Sequence, residues 1–160
     1  MELKLDDKDL AVLAVLQKDS KMSTREIAKI VHLPITTVFA KIKRMEKLGI
    51  IKEYRAILDP QKLGVPTTAF ILASVTYQIK DKEALISQRE IAEEIARFPE
   101  VQEVHIISGD WDLLIKLKGE NVSTIGKFII DKLRLINGIE KTLTCMVFET
   151  CKETTEIPTR

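Results

Sequence analysis

Two observations predict an α+β chain in two parts. Helical periodicity with helix-end signals runs from residue 6 to residue 49, and beyond residue 66 strand-like segments alternate with two helical ones. A third observation separates the halves: residues 1–55 hold 12 Lys and Arg against 8 Asp and Glu, while 56–160 hold 13 against 16, a front of +4 and a rear of −3. The expected class is an N-terminal (winged) helix-turn-helix domain followed by a C-terminal ferredoxin-like βαββαβ domain.

The first helix is expected to start at Asp6, a capping residue, with Leu10, Leu13 and Leu16 at helical spacing. STREIAKIV comes next: Ser23 and Glu26 are spaced as a capping box, and Ile27, Ile30 and Val31 form the apolar side. After the break HLP, ITTVFAKIKRMEKL (35–48) makes a third helix that stops at Gly49, the usual residue of a left-handed cap. Helices joined by so short a turn are a helix-turn-helix candidate. IIKEYRAIL is β-rich but alternates poorly, and DPQKLGVP carries the Pro and Gly punctuation of a linker. The expected domains are 1–55, a linker at 56–66, 67–152 and a tail at 153–160. Within 67–152 the order is strand (TTAFILASVTY), helix (81–98, with Ile91, Ile95 and Phe98), strand (VQEVHIIS), strand (WDLLIKLK), helix (123–136) and strand (IEKTLTCMVFETC).

Hydrophobic residues make up 45% of the chain, enough for a packed core in each part. No apolar run reaches the ~20 residues of a membrane span, and the charged start MELKLDDKD lacks the apolar stretch of a secretion signal, so a cytoplasmic protein with no membrane partner is expected. Cys145 and Cys151 fall in one strand-like segment, too far apart for a disulfide. Cys/His ligand spacing, Gly-rich phosphate loops and nucleophile elbows are all missing, so neither metal, cofactor nor catalysis is expected.

On a helical wheel, residues 35–48 put Ile35, Val38, Ile42 and Met45 on one side and Thr36, Thr37, Ala40, Lys43, Arg44 and Lys47 on the other. The second side suits DNA: hydroxyls near the helix start reach base edges, a small Ala40 lets the helix lie deep in a groove, and the cations neutralise phosphates. Arg25 on the preceding helix, and Lys52, Tyr54 and Arg55 on a following strand, would extend it. The plainer alternative is a solvated helix face.

The phrases LD-x-x-D, LQKD-x-K-x-S and RMEKLGIIKEY, the Asp59-Pro60 and Leu63-Gly64 pairs, and SGDWDLL further on are together similar to the Lrp/AsnC (feast/famine) transcriptional regulators over essentially the whole chain. The resemblance implies a sequence-specific regulator of double-stranded DNA, modulated by a small amino-acid effector. It also implies a homodimer that assembles further, up to an octamer of four dimers. His32-Leu33-Pro34 departs from it, because members usually have Gly and then Ser-Pro at the turn. His32 then carries a penalty if that position needs positive φ, and the third helix loses a Ser cap.

Gly109-Asp110 fits a two-residue hairpin loop. Asp112 is expected inside the following strand, on the face opposite Trp111, Leu113 and Ile115. As an acid pair Asp110 and Asp112 lack a third ligand or a nucleophile. The resemblance instead implies that Gly109, Asp110, Trp111 and Asp112 line the effector pocket, with carboxylates for the ligand ammonium. Strand order adds Thr142 and Thr144 as hydroxyl donors and Tyr77 as a cover. The remaining alternatives are an amino-acid-binding sensor module without direct DNA binding, an RNA binder on the sheet, and an enzyme using the acid pair.

Overall fold

A computed structural model describes residues 5–76 and 87–159. The chain divides into two compact units: one runs up to Ile57 and includes the tail from Lys152, and the other is Leu58–Cys151. Among the described residues no helix is long and apolar enough to cross a membrane.

The first unit is three helices, α1 (Asp7–Lys18), α2 (Thr24–Ile30) and α3 (Ile35–Lys47). Both expected caps form. The Asp6 carboxylate accepts from the Asp9 N–H at 2.7 Å while Asp9 accepts from the Asp6 N–H at 3.0 Å, and Ser23 and Glu26 close the same reciprocal box at α2. Gly49, at φ 69°, ends α3: its N–H reaches the Glu46 carbonyl and the Ile50 N–H reaches Met45, each at 3.0 Å. His32 takes the equivalent place after α2 at φ 52°, with the Leu33 N–H on the Ala28 carbonyl at 3.1 Å, so a β-carbon sits where glycine is normally used. Pro34 precedes α3 without a side-chain cap.

The core of this unit is Val12, Leu16, Ile27, Ala28, Val38 and Met45. Four residues expected in the core, Leu10, Leu13, Ile30 and Ile35, lie outside it. Ile30 is 51% exposed and Ile35 47%, because the two-turn α2 covers only the arc of Ile27 and Ala28 and is too short to shield the first turn of α3. On α1 the buried line runs through Asp9, Val12 and Leu16 rather than Leu10 and Leu13. The segment 50–58 forms no strand, since no described segment pairs with it, and Ile57 stays 92% exposed. The tail is held: the Gln17 side-chain amide donates to the Ile157 carbonyl at 2.9 Å and accepts from its N–H at 2.7 Å.

The second unit is a four-stranded antiparallel sheet in the order β2-β3-β1-β4, from β1 (Thr67–Val75), β2 (Val101–Ile106), β3 (Leu113–Gly119) and β4 (Ile139–Met146). Helices α4 (Gln88–Ile95) and α5 (Val122–Asp131) pack on one face. A short 3-10 turn, Leu133–Leu135, completes what reads in sequence as one helix to 136. Alternation of β1 and β3 is clean: Ala69, Ile71, Ala73, Leu113, Ile115 and Leu117 meet Ile91 and Ile95 of α4 and Ile125, Phe128 and Ile129 of α5. The opposite face carries Phe70, Leu72, Leu114, Leu143 and Cys145 across three neighbouring strands, and no helix among the described residues packs on it. Both cysteines are free thiols.

Candidate functional site

α3 is fixed to α1 by an ion pair whose two ends lie 32 residues apart in sequence. Asp9 is fully buried on the α1 face that carries Val12 and Leu16, and the Lys41 ammonium reaches it at 2.9 Å and Asp6 at 2.8 Å. The Arg44 guanidinium adds a contact to Asp9 at 3.3 Å. Lys41 holds the Asp6 carboxyl down at about 2, with the Asp9 N–H assisting. Burial pulls the Lys41 ammonium down, but its hydrogen bonds to Asp6 and Asp9 prevail and raise it.

With that side anchored, α3 presents Thr36, Ala40, Lys43, Arg44 and Lys47 outward, and Thr37 is half-buried. The cations there differ in their partners. Lys43 pairs with Glu46 at 2.7 Å and lies 5.9 Å from the Phe39 ring centre, and Glu46 also accepts from the Tyr54 hydroxyl at 3.0 Å. Arg55 pairs with Glu53 at 2.6 Å from coil, not from the strand expected for residues 52–55. Lys47 and Arg25 are exposed and have no charged partner among the described residues. Arg44, read in sequence as an outward cation, is half-exposed and turned to Asp9, so it braces α3 as well as facing outward.

At the other unit the β2–β3 hairpin differs from the two-residue loop expected. The Ile107 N–H closes on the Asp112 carbonyl at 2.9 Å, leaving a loop of four, Ser108 to Trp111, with Gly109 at φ 122°. Asp112 sits just ahead of β3 rather than inside it, and its carboxylate is occupied by the protein. Oδ2 accepts from the Val75 N–H at 2.8 Å, where β1 shifts register, and Oδ1 accepts from the Gln88 amide at 3.0 Å. Asp110 is exposed and has no partner among the described residues.

The sheet brings part of the expected set to this loop. Ala73 of β1 pairs with Leu113 on one side and Thr142 on the other, so Thr142 lies at the same end of the sheet as the loop. The Lys141 ammonium stands 5.5 Å from the Trp111 ring centre. Thr142 and Thr144 do share a face, but it is the helix-covered one, and the Thr142 hydroxyl already accepts from Arg134 at 3.2 Å. Tyr77 lies outside the described residues. Sequence reasoning missed Asp9, Lys41, Gln88 and Lys141. Only Asp9, an acid on the apolar stripe of α1, left a signal.

Residues 5–52 match the model of a winged helix-turn-helix DNA-binding domain and residues 68–157 that of the Lrp/AsnC ligand binding domain. This chain belongs to the Lrp/AsnC family. An HTH-type transcriptional regulator of Pyrococcus horikoshii is 41% identical over 93% of this chain and 96% of its own. The HTH-type transcriptional regulator FL11 of Pyrococcus furiosus is 38% identical over 98% of this chain and 97% of its own. Among solved structures, the complex of a Neisseria meningitidis transcriptional regulator with L-Met superposes with TM-score 0.88 at 27% identity, covering 97% of each chain. This Lrp/AsnC chain is thus a transcriptional regulator with a helix-turn-helix for DNA and a domain for a small ligand.

Proposed function

We propose that the outward face of α3 reads DNA in the major groove and that an amino acid held at the 109–112 loop modulates the binding. The observation that carries the first half is the division of cations on α3. Lys41 and Arg44 are spent on Asp9, fixing the helix, while Lys47 stays unpaired beside Thr36 and Ala40. A rigid helix with an open cationic edge can neutralise phosphates without first reorganising. Lys43 and Arg55 would exchange their carboxylate partners for phosphate, and Arg25 and Thr37 flank the contact.

For the effector, the division of labour between the two aspartates differs from the sequence reading. Asp112 positions the loop through Val75 and Gln88, and Asp110 is the carboxylate free to meet a ligand ammonium. Gly109 lets the loop turn, and Trp111 supplies an apolar wall with Lys141 across it for the ligand carboxylate, while Thr142 and Thr144 face the helices and take no part. The L-Met bound by the Neisseria regulator supports an amino acid as the ligand class. The uncovered apolar sheet face supports a homodimer, which would set two α3 helices on successive half-sites, and further assembly of dimers would bring loops together.

Fluorescence anisotropy of labelled promoter fragments against salt, with and without each amino acid, tests both halves. Affinity that falls with salt and shifts with one amino acid supports the reading. Indifference to DNA at low salt leaves only a ligand-binding module.

A further inference from the structure

One border of the α3 reading face is acidic, and the acid is held in place there. Phe39, Lys43 and Glu46 follow one another at helical spacing beside Thr36, Ala40 and Lys47. Glu46 uses both carboxylate oxygens: Oε2 accepts from the Lys43 ammonium at 2.7 Å and Oε1 from the Tyr54 hydroxyl at 3.0 Å. Tyr54 stands eight residues further on, past the end of the helix, so the carboxylate is gripped from outside α3 as well as from within it. The Phe39 ring centre lies 5.9 Å from the same ammonium. Hydrogen bonds from Lys43 and then Tyr54 keep the Glu46 carboxyl below the usual carboxylate range, so it is charged at neutral pH.

This arrangement changes what Lys43 contributes. A phosphate oxygen bonded to the Lys43 ammonium comes within about 5.5 Å of Glu46 Oε2. Like charges at that range in water weaken binding by about three- to fourfold, and the ion pair must be shared or given up as well. The attraction of Lys43 for phosphate is therefore largely cancelled. Lys47, with no charged partner among the described residues, keeps its own in full. A carboxylate free to swing would turn away from the phosphate, and the Tyr54 hydroxyl opposes that.

We propose that Glu46, positioned by Tyr54, is an electrostatic brake on the reading face that weakens binding to DNA of any sequence. Sequence-independent binding consists almost entirely of phosphate contacts, and these are what the brake reduces. The inference rests on the reading of α3 as the helix that touches DNA.

The test is fluorescence anisotropy of the full chain on two labelled duplexes of equal length, one alternating A·T and one alternating G·C, across a salt series. Glu46→Gln keeps the side-chain shape and an acceptor for Tyr54. It should tighten both duplexes by about two- to fivefold for each α3 engaged, and steepen the log–log salt slope by about one. Tyr54→Phe should move both quantities the same way by less. Lys43→Ala should cost under about twofold in the parent, yet abolish the gain in the Glu46→Gln background. Lys47→Ala, which checks α3 itself, should weaken both duplexes. Binding that Glu46→Gln leaves unchanged, weakens, or tightens on one duplex alone overturns the brake, as does a Lys43→Ala loss equally large in both backgrounds. If Lys47→Ala still weakens binding in that case, the DNA-reading role of α3 stands without the brake. Indifference to Lys47→Ala and Glu46→Gln alike overturns both.

Discussion

Replacing Lys41 by Met removes the ammonium that neutralises a fully buried aspartate while keeping most of the stem's packing. Breaking a buried ion pair by deleting one partner costs about 3–5 kcal/mol. Here the loss is smaller, because Asp9 keeps the Arg44 guanidinium at 3.3 Å and the Asp6 N–H at 3.0 Å. The Lys41 link to Asp6, itself well exposed, adds little. The expectation is therefore about 2–3 kcal/mol, or with a urea slope near ~1.5 kcal/mol/M a midpoint lower by about 1–2 M. Two probes separate the units: α1 to α3 supply most of the helical signal in circular dichroism, whereas the single tryptophan, Trp111, belongs to the second unit. The helical transition should move and the fluorescence transition should stay. Asp9→Leu with Lys41→Met should recover most of the loss, since removing both charges leaves nothing unpaired. A Lys41→Met midpoint within about 0.3 M of the parent, or a double variant no better than the single, refutes the reasoning.

Acid should loosen the same junction. The folded value of Asp6, about 2, lies below its ordinary 3.8, so its contribution is complete above about pH 4 and drains away as pH falls towards 2. Asp6→Asn should show a shallower acid-side decline in stability between pH 4 and 2 than the parent, measured by urea unfolding at each pH. His32→Gly should stabilise the first unit by about 0.5–1 kcal/mol, because glycine adopts φ 52° without strain and gives back part of that gain in the unfolded chain. Thermal melting that shows no gain sets that aside. Asp112→Ala strands the Val75 N–H and should lower the Trp111 transition by about 1–3 kcal/mol, whereas Asp110→Ala should stay within ~0.5 kcal/mol yet abolish the effect of the amino acid on DNA affinity.

Local features were the most readable. The caps at Asp6 and Ser23 involve partners three residues on, and Gly49 needs only its own backbone freedom, so all three show in a short window of sequence. The β-α-β-β-α-β order was equally plain, because β3 throughout and β1 from Ala69 onward alternate over a helix-covered face. What stayed hidden depends on distant pairing. Asp112 looked like a ligand carboxylate because its donors, Val75 and Gln88, are 37 and 24 residues away. Lys41 drew no reading from the sequence because its partner, Asp9, is on another helix 32 residues away. IIKEYRAIL has strand-like composition but no pairing neighbour among the described residues, and composition does not supply one. Ile30 and Ile35 have core chemistry, yet two-turn α2 has too little surface to cover them.

The central claim is that residues 36–47 are what touches nucleic acid. Hydrogen–deuterium exchange of the full chain with and without a bound operator fragment measures this directly, segment by segment. Slower exchange across α2 and α3, with α4 and α5 unaffected, is the predicted result. Protection confined to the sheet unit, with α3 exchanging as in the free protein, would contradict it.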